Sequence, residues 1–342
     1  MDVSLLDSAD PACDRFVTHM AGARLCHMPA WTHMVEKAFG YRGYYLVARD
    51  HGEIRGVLPL TYLHSRLFGT RLVSQPFSDY GGPLAADPAA VEVLYDRAVE
   101  LATQSRCDSM EFRNTVPLPQ ETLYLRHDKV SMYLPLDPDP QAVWKQLRHK
   151  TRNRVRKAEK AELTVKAGGR ELLNEFYRVW TVRMRELGTP CYPRRLFRSI
   201  LETFPSATRI FLATLNGATT AVLFAYTFKG WVQCSWGAAL RDYDSLGPNY
   251  ILNWGAIEYY CERGMKWFDF GRSTIGSGQH VFKQRWGAAP IDLCWQYWTP
   301  AGKGLHLVKP DDPKYKRKTE MWKRLPLTVT RVLGPRISCS LP

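Results

Sequence analysis

RIFLATLNGATTAVLFAYTF (Arg209–Phe228) reads as two strands folded back on one another. Its runs Arg209–Leu215 and Thr219–Phe228 are rich in β-branched and aromatic residues, and Asn216-Gly217 between them is a strong hairpin signal. The same device occurs 165 residues earlier. There Tyr44–Arg49, the turn Asp50-His51-Gly52-Glu53 and the return run Ile54–Leu63 repeat it, with Gly52 answering Gly217.

The surroundings of the two hairpins also match in order. A helix over Pro29–Phe39 precedes the first, and a helix over Pro88–Gln104 and a strand over Ser109–Arg113 follow it. Val91, Leu94, Ala98, Leu101 and Ala102 give that second helix the spacing of a buried face. A helix over Arg170–Leu187 precedes the second hairpin. A strand at Trp231–Ala239, a helix over Pro248–Glu262 and a strand at Lys266–Gly271 come after it. Residue identity between the halves is slight, so element order is what repeats. The expectation is an α/β (α+β) chain of two tandem domains, each a mixed, mostly antiparallel sheet flanked by helices. The expected boundaries are 1–135 and 136–300, with a basic tail over 301–342.

Length agrees, since 342 residues exceed one ordinary core. The start, MDVSLLDSADPACDRF, lacks a basic region followed by an apolar one, and no apolar run approaches a membrane span. The eight cysteines are scattered, with no CxxC, and no histidine stands at zinc-finger spacing. Reduced structural thiols, no metal and a cytoplasmic location are therefore expected.

Charge is concentrated. The net is +14, and KQLRHKTRNRVRKAEK (Lys145–Lys160) holds eight Lys/Arg against one Glu. Trp144, Leu147, Thr151, Val155 and Ala158 form a helical stripe, while Arg148, Arg152, Arg156 and Lys160 line another face. Like charges at i, i+4 repel, so the face suits an anionic partner: a nucleotide-linked substrate, a tRNA or an anionic membrane. A solvated surface helix is the plainer alternative. The tail KYKRKTEMWKRLPLTVTRVLGP (Lys314–Pro335) is basic and carries Trp322, Leu325, Leu327, Val329, Val332 and Leu333. Pro326 should break any single long helix there. Packing onto the domains and docking onto an anionic inner-membrane face are both open to it.

No HExxH, GxSxG, Walker or GxGxxG pattern is present, so no cofactor is demanded. FDFGRSTIGSGQHVFKQRWG (Phe268–Gly287) stands apart. It reads as a strand ending at Asp269-Phe270, a loop from Gly271 to Gly278 with three hydroxyls, then a short helix carrying Phe282, Lys283, Arg285 and Trp286. Glycine amides, a helix N-terminus, Arg272 and Lys283 together suit a phosphate or an oxyanion. Ser273, Gly276, Ser277 and Trp286 are the further binding candidates there.

This segment closely resembles the C-terminal signature of FemAB-like proteins, and more narrowly the group associated with exosortase/PEP-CTERM systems. Ser65–Leu84, Arg152–Lys160 and Asp312–Pro335 fit the same group. The resemblance implies two tandem GNAT-like domains and an acyl- or aminoacyltransferase. Relatives move an aminoacyl group from tRNA onto an amine of a cell-wall precursor, with a Phe-Lys pair at the reaction centre. Phe282-Lys283 matches that pair. Lys283 would hold the developing oxyanion, Phe282 would shape the site, and Asp269 would orient or deprotonate the amine. Helix capping or an ion pair with Arg272 is an equal alternative for Asp269. A plain surface lysine is the alternative for Lys283. Arg152, Arg154 and Lys157 are candidates for the anionic acceptor, a cell-envelope or exopolysaccharide-related precursor. Asp79, Tyr80 and Arg113 are candidates for lining a cleft between the domains, with plain roles in turn and strand as the favoured alternative.

One stretch departs from ordinary GNAT enzymes. RDYDSLGPNY (Arg241–Tyr250) stands where a glycine-rich pyrophosphate loop belongs, with one glycine, two aspartates and Pro248. The favoured reading is amide formation with an acyl donor that is a substrate, aminoacyl-tRNA or acyl-CoA. A CoA-dependent GNAT N-acyltransferase and a non-enzymatic RNA- or membrane-binding module are the alternatives.

Overall fold

The computed structural model describes residues 1–6, 10–65, 68–305 and 313–340. Its chain opens with β1 (Asp2–Leu5), α1 (Pro11–His19), α2 (Pro29–Phe39) and the hairpin β2 (Arg42–Asp50) and β3 (Glu53–Ser65). β4 (Gly69–Val73), β5 (Leu84–Ala85), α3 (Pro88–Gln104), β6 (Ser109–Asn114) and β7 (Tyr124–Arg126) follow. The second half begins with β8 (Lys129–Pro135), α4 (Pro140–Gln146), α5 (His149–Lys160) and β9 (Thr164–Gly168). Next come α6 (Leu173–Leu187), α7 (Arg194–Thr203), β10 (Thr208–Leu215), β11 (Ala218–Phe228) and β12 (Trp231–Ala239). α8 (Pro248–Cys261), β13 (Trp267–Thr274), α9 (Gly278–Arg285), β14 (Ala289–Asp292) and β15 (Cys294–Trp298) complete it, with α10 (Pro313–Arg324) and α11 (Leu327–Ser338) at the end.

Local chemistry explains many of these boundaries. Helices α1, α3 and α4 start on Asp-Pro, with Asp10, Asp87 and Asp139 each accepting a first-turn amide and proline standing where no donor is needed. Both hairpins turn through two left-handed residues, His51-Gly52 (φ 46° and 87°) and Asn216-Gly217 (φ 49° and 79°). That sign pair matches the twist of the flanking strands, and glycine adopts it without a steric penalty.

The chain divides into two compact units, each with its own sheet. The first sheet runs β1-β2-β3-β4-β6-β15-β7, with β5 against β3. The second runs β14-β8-β13-β12-β11-β10-β9. In each, a hairpin leads to a third strand, a helix crosses over, and the next strand pairs in parallel with that third one. The parallel pairs are β4–β6 and β12–β13, and the crossovers are α3 and α8. The repeat of element order is thus a repeat of topology. The first core gathers Leu46, Leu58, Leu72, Leu94 and Phe112. The second gathers Val155, Phe211, Leu223, Ile257, Phe268 and Trp286.

Unit membership differs from the expected 1–135 and 136–300 at both ends. β8 belongs to the second sheet, and residues 292–305, including β15, return to the first. Alternation in KVSMYLP or CWQYW announces a strand but not which sheet edge receives it. The basic stretch is also two helices. Leu147 and Arg148 are extended (ψ 142° and 141°), so the chain turns between α4 and α5 while Leu147, Thr151, Val155 and Ala158 stay buried.

In the first unit His27 is buried, its Nδ1 accepting the Arg24 amide (2.9 Å) while Nε2–H donates to the Gly82 carbonyl (3.1 Å). Burial, and then the Arg24 charge, push its pKa down to about 4 from 6.5. The unfolded chain therefore takes up the proton first as pH falls. The stability that His27 contributes is complete above 6.5 and is lost between 6.5 and 4, an effect of about 3 kcal/mol. Urea midpoints measured across that range should fall steadily, and His27→Gln should remove this part of the slope.

Candidate functional site

The site is built where β12 and β13 part. Their parallel pairing spans three registers, Trp231↔Trp267, Val232↔Phe268 and Gln233↔Asp269. Beyond Gln233 and Asp269 the strands run on to Ala239 and Thr274 without pairing to each other. β12 is irregular at this point, its register against β11 shifting after Phe224. A split therefore opens at the middle of the sheet.

β13 does not end at Phe270 as expected. It continues through Gly271, Arg272 and Ser273 to Thr274, leaving only 275–277 as the connection to α9. Gly271, at φ 75°, is accommodated inside the strand because the Asp269 carboxylate accepts its amide at 2.8 Å. The same carboxylate oxygen accepts from Ser131 Oγ on the neighbouring strand β8 at 2.5 Å. Asp269 is 1% exposed, and these two donors satisfy that buried oxygen. Two successive carbonyls, of Gly271 and Arg272, then meet one partner. Lys283 Nζ donates to the Gly271 oxygen at 2.7 Å and the Arg272 oxygen at 3.0 Å. Ser131, Asp269, Gly271 and Lys283 thus form one connected chain of positions.

In this arrangement Asp269 accepts from both the Gly271 amide and the Ser131 hydroxyl. Asp269→Ala strands the Gly271 amide and the Ser131 hydroxyl, and should lower stability by about 2–3 kcal/mol in urea unfolding. Asp269→Asn keeps one acceptor oxygen and should cost less.

The aromatic residues of α9 fix the helix that carries Lys283. Phe282 is half-buried, edge-on to Tyr250 at 5.4 Å, and Trp286 is wholly buried against Phe270 and Tyr250. Trp286 is therefore placed in the core. Ser277 caps α9, its Oγ accepting the His280 amide, and His280 Nδ1 accepts the Gly276 amide. The loop's hydroxyl and first-turn donors are thus engaged in ending the turn and starting the helix, which removes part of the anion cradle expected there. Ser273 is 2% exposed, and its hydroxyl has no hydrogen-bond partner among the described residues. Arg272 lies half-buried on β13.

The basic helix α5 comes to the same place. Thr151 Oγ1 donates to the Arg285 carbonyl at the end of α9 (2.7 Å), and Arg285 reaches the Tyr250 hydroxyl (3.5 Å). Arg154 and Lys157 are exposed on α5 and Arg152 is half-buried, while Arg156 stacks over Trp144 at 5.6 Å. Before α8, residues Arg241–Leu246 form a 3-10 turn that exposes Asp242 and Asp244. Pro248 opens the helix with no N–H to offer.

Burial pushes the Cys234 thiol well above its usual range, and the Asp269 carboxylate adds to that. A thiol so held is no nucleophile at neutral pH. Among the described residues no group of three or more His, Cys, Asp or Glu is placed to hold a metal.

Asp79, Tyr80 and Arg113 belong to the first unit. Tyr80 is 2% and Arg113 3% exposed, so neither is a surface group. Arg113 pairs with Glu111 (2.7 Å), donates to the Ser78 and Gln75 carbonyls and stacks on Trp295. The Asp79 carbonyl accepts from Trp295 Nε1 at 3.1 Å. Ser131 and Tyr250 are the site residues that the sequence reading lacks. Ser131 stands on an alternating strand 138 positions before its partner, with no local signal to join them.

Residues 145–284 match the acetyltransferase (GNAT) domain family. The structure of FemX is similar at 14% identity, covering 88% of this chain and 98% of that one, with a TM-score of 0.69. The C-terminal domain of a putative lysylphosphatidylglycerol synthetase from Agrobacterium fabrum is similar at 12% identity over 85% and 92%, with a TM-score of 0.56. A tandem GNAT protein from the clavulanic acid biosynthesis pathway is similar at 13% identity over 89% and 99%, with a TM-score of 0.54. No curated protein matches the chain. At these identities the likeness is one of fold, and the fold is two tandem GNAT-like units.

Proposed function

We propose that the chain is an amide-forming transferase of the FemAB type, moving an acyl or aminoacyl group onto an amine with Lys283 at the reaction centre. The observation that carries this is the Lys283 ammonium, fixed by the Gly271 and Arg272 carbonyls beside the split between β12 and β13. A neutral amine attacks the donor's carbonyl carbon there, forming the C–N bond and placing negative charge on the oxygen. Lys283 stabilises that oxygen, the C–O or C–S bond to the donor then breaks, and the amine's proton leaves with the alcohol or thiol. Phe282 holds α9 in register with the strand, and Asp269 holds the Gly271 backbone.

Two observations favour an aminoacyl ester over a CoA thioester. Asp242 and Asp244 put negative charge at the start of α8, and Pro248 removes one of the amides a pyrophosphate would use. Arg152, Arg154 and Lys157 on α5, tied to α9 through Thr151, supply positive charge for a polyanion such as a tRNA or a nucleotide-linked acceptor. A cell-envelope or exopolysaccharide precursor, the acceptor implied by the likeness to the exosortase/PEP-CTERM-associated group, fits that charge.

Mass spectrometry of candidate amine precursors incubated with charged tRNA or with acyl-CoA tests the reading. A product mass shift with charged tRNA alone is expected. A shift with acyl-CoA alone would replace the donor. Turnover of neither, with steeply salt-dependent RNA binding, would replace the enzyme by a binding module.

A further inference from the structure

We infer that α10 and α11 form a docking surface for an anionic lipid bilayer. α11 is turned opposite to what packing alone would give. Its inward stripe is small, Thr330, Gly334 and Ser338, each buried against the second unit. Ser338 donates to the Cys191 carbonyl at 2.9 Å, Arg331 Nε reaches Thr181 Oγ1 at 3.1 Å, and α11 packs along α6. Its outward stripe is apolar. Val329, Val332 and Leu333, at i, i+3 and i+4, are 36%, 56% and 38% exposed, and Met321 on α10 is 61% exposed. Four aliphatic side chains left in water beside a packed, hydrogen-bonded helix mark a surface that meets something apolar.

Charge says which apolar partner. Residues 313–340 carry eight Lys/Arg against one Glu, half of the net +14 of the chain. Lys316, Arg317, Arg324 and Arg336 are exposed. A second copy would bring two such basic surfaces together, and RNA would leave the aliphatic side chains unexplained. A bilayer bearing anionic headgroups answers both features, with aliphatic side chains entering the acyl boundary and Lys/Arg meeting phosphates. Each basic residue near such a surface contributes roughly fivefold to partitioning. Among the described residues no helix is long and apolar enough to cross a membrane, so the contact is one of lying on the surface.

Co-sedimentation of the full chain with vesicles tests this without reference to any transfer activity. Binding is expected to vesicles of equal parts phosphatidylcholine and phosphatidylglycerol, and not to phosphatidylcholine alone. Val332→Asp with Leu333→Asp, both at exposed positions, should cut partitioning by about tenfold or more. Charge reversal at Lys316 and Arg317 should also weaken it and reduce its salt dependence. Absence of binding to the anionic vesicles, or binding that the Asp pair leaves intact, would overturn the inference.

Discussion

Lys283→Ala is expected to lower the transfer rate by about 10²–10³-fold, the usual cost of removing one preorganised oxyanion donor. The position of the ammonium is why. Two carbonyls, of Gly271 and Arg272, hold it at 2.7 and 3.0 Å, so its charge needs no rearrangement when the oxyanion forms. Removing it also strands those carbonyls, at about 1–2 kcal/mol of stability. The chemical and structural losses separate in one experiment. Single-turnover rates measured well below the unfolding midpoint report the first, and urea midpoints report the second. Gly271→Ala is the informative companion, because φ 75° is strained for alanine and the carbonyl pair must shift while Lys283 remains. A Lys283→Ala variant with undiminished turnover would remove this residue from the mechanism.

The hairpins, crossovers and helix starts were readable because they depend on near neighbours. Asn216-Gly217, Asp87-Pro88 and the stripe of Val155 and Ala158 each carry their own reason within a few residues. What escaped depends on distant partners. Gly271 reads as the start of a loop, since nothing nearby shows that Ser131 will help Asp269 hold a left-handed glycine inside a strand. Trp286 reads as a ligand contact from its place beside Lys283, but its side chain turns into the core on Phe270. β15 reads as part of the second domain by position, yet its pairing with β6, from Cys294↔Asn114 to Trp298↔Met110, returns it to the first sheet. Lys283 is legible in the sequence through likeness to a motif. The physical support for its position comes from carbonyls that only the fold brings together.

Arg113 shows the same contrast with a larger energetic consequence. In the sequence it reads either as a cleft candidate or as a plain strand position, and Arg113 is 3% and Glu111 5% exposed. Arg113 Nε donates to Glu111 at 2.7 Å, Nη1 donates to the Ser78 and Gln75 carbonyls, and the plane lies 4.5 Å from the Trp295 ring. The carbonyls it takes belong to a buried loop in which Gln75 and Phe77 have φ of 61° and 64°. Neither is glycine, so the loop's conformation is strained and needs an external brace. Arg113 is that brace, and it joins β6, the loop and β15 within one unit. Arg113→Ala leaves a buried carboxylate without its counter-charge, two carbonyls without donors and the Trp295 face uncovered. The expected loss is about 3–5 kcal/mol, measured as a fall in the urea midpoint. Arg113→Lys retains a charge but not the fork that spans carboxylate and carbonyls, so it should recover only part of the loss. Glu111→Gln separates charge pairing from geometry, because it keeps an acceptor for Nε and removes the negative charge. If Arg113→Ala unfolds with the midpoint of the parent chain, the loop is held by other contacts and the residue returns to the list of binding candidates.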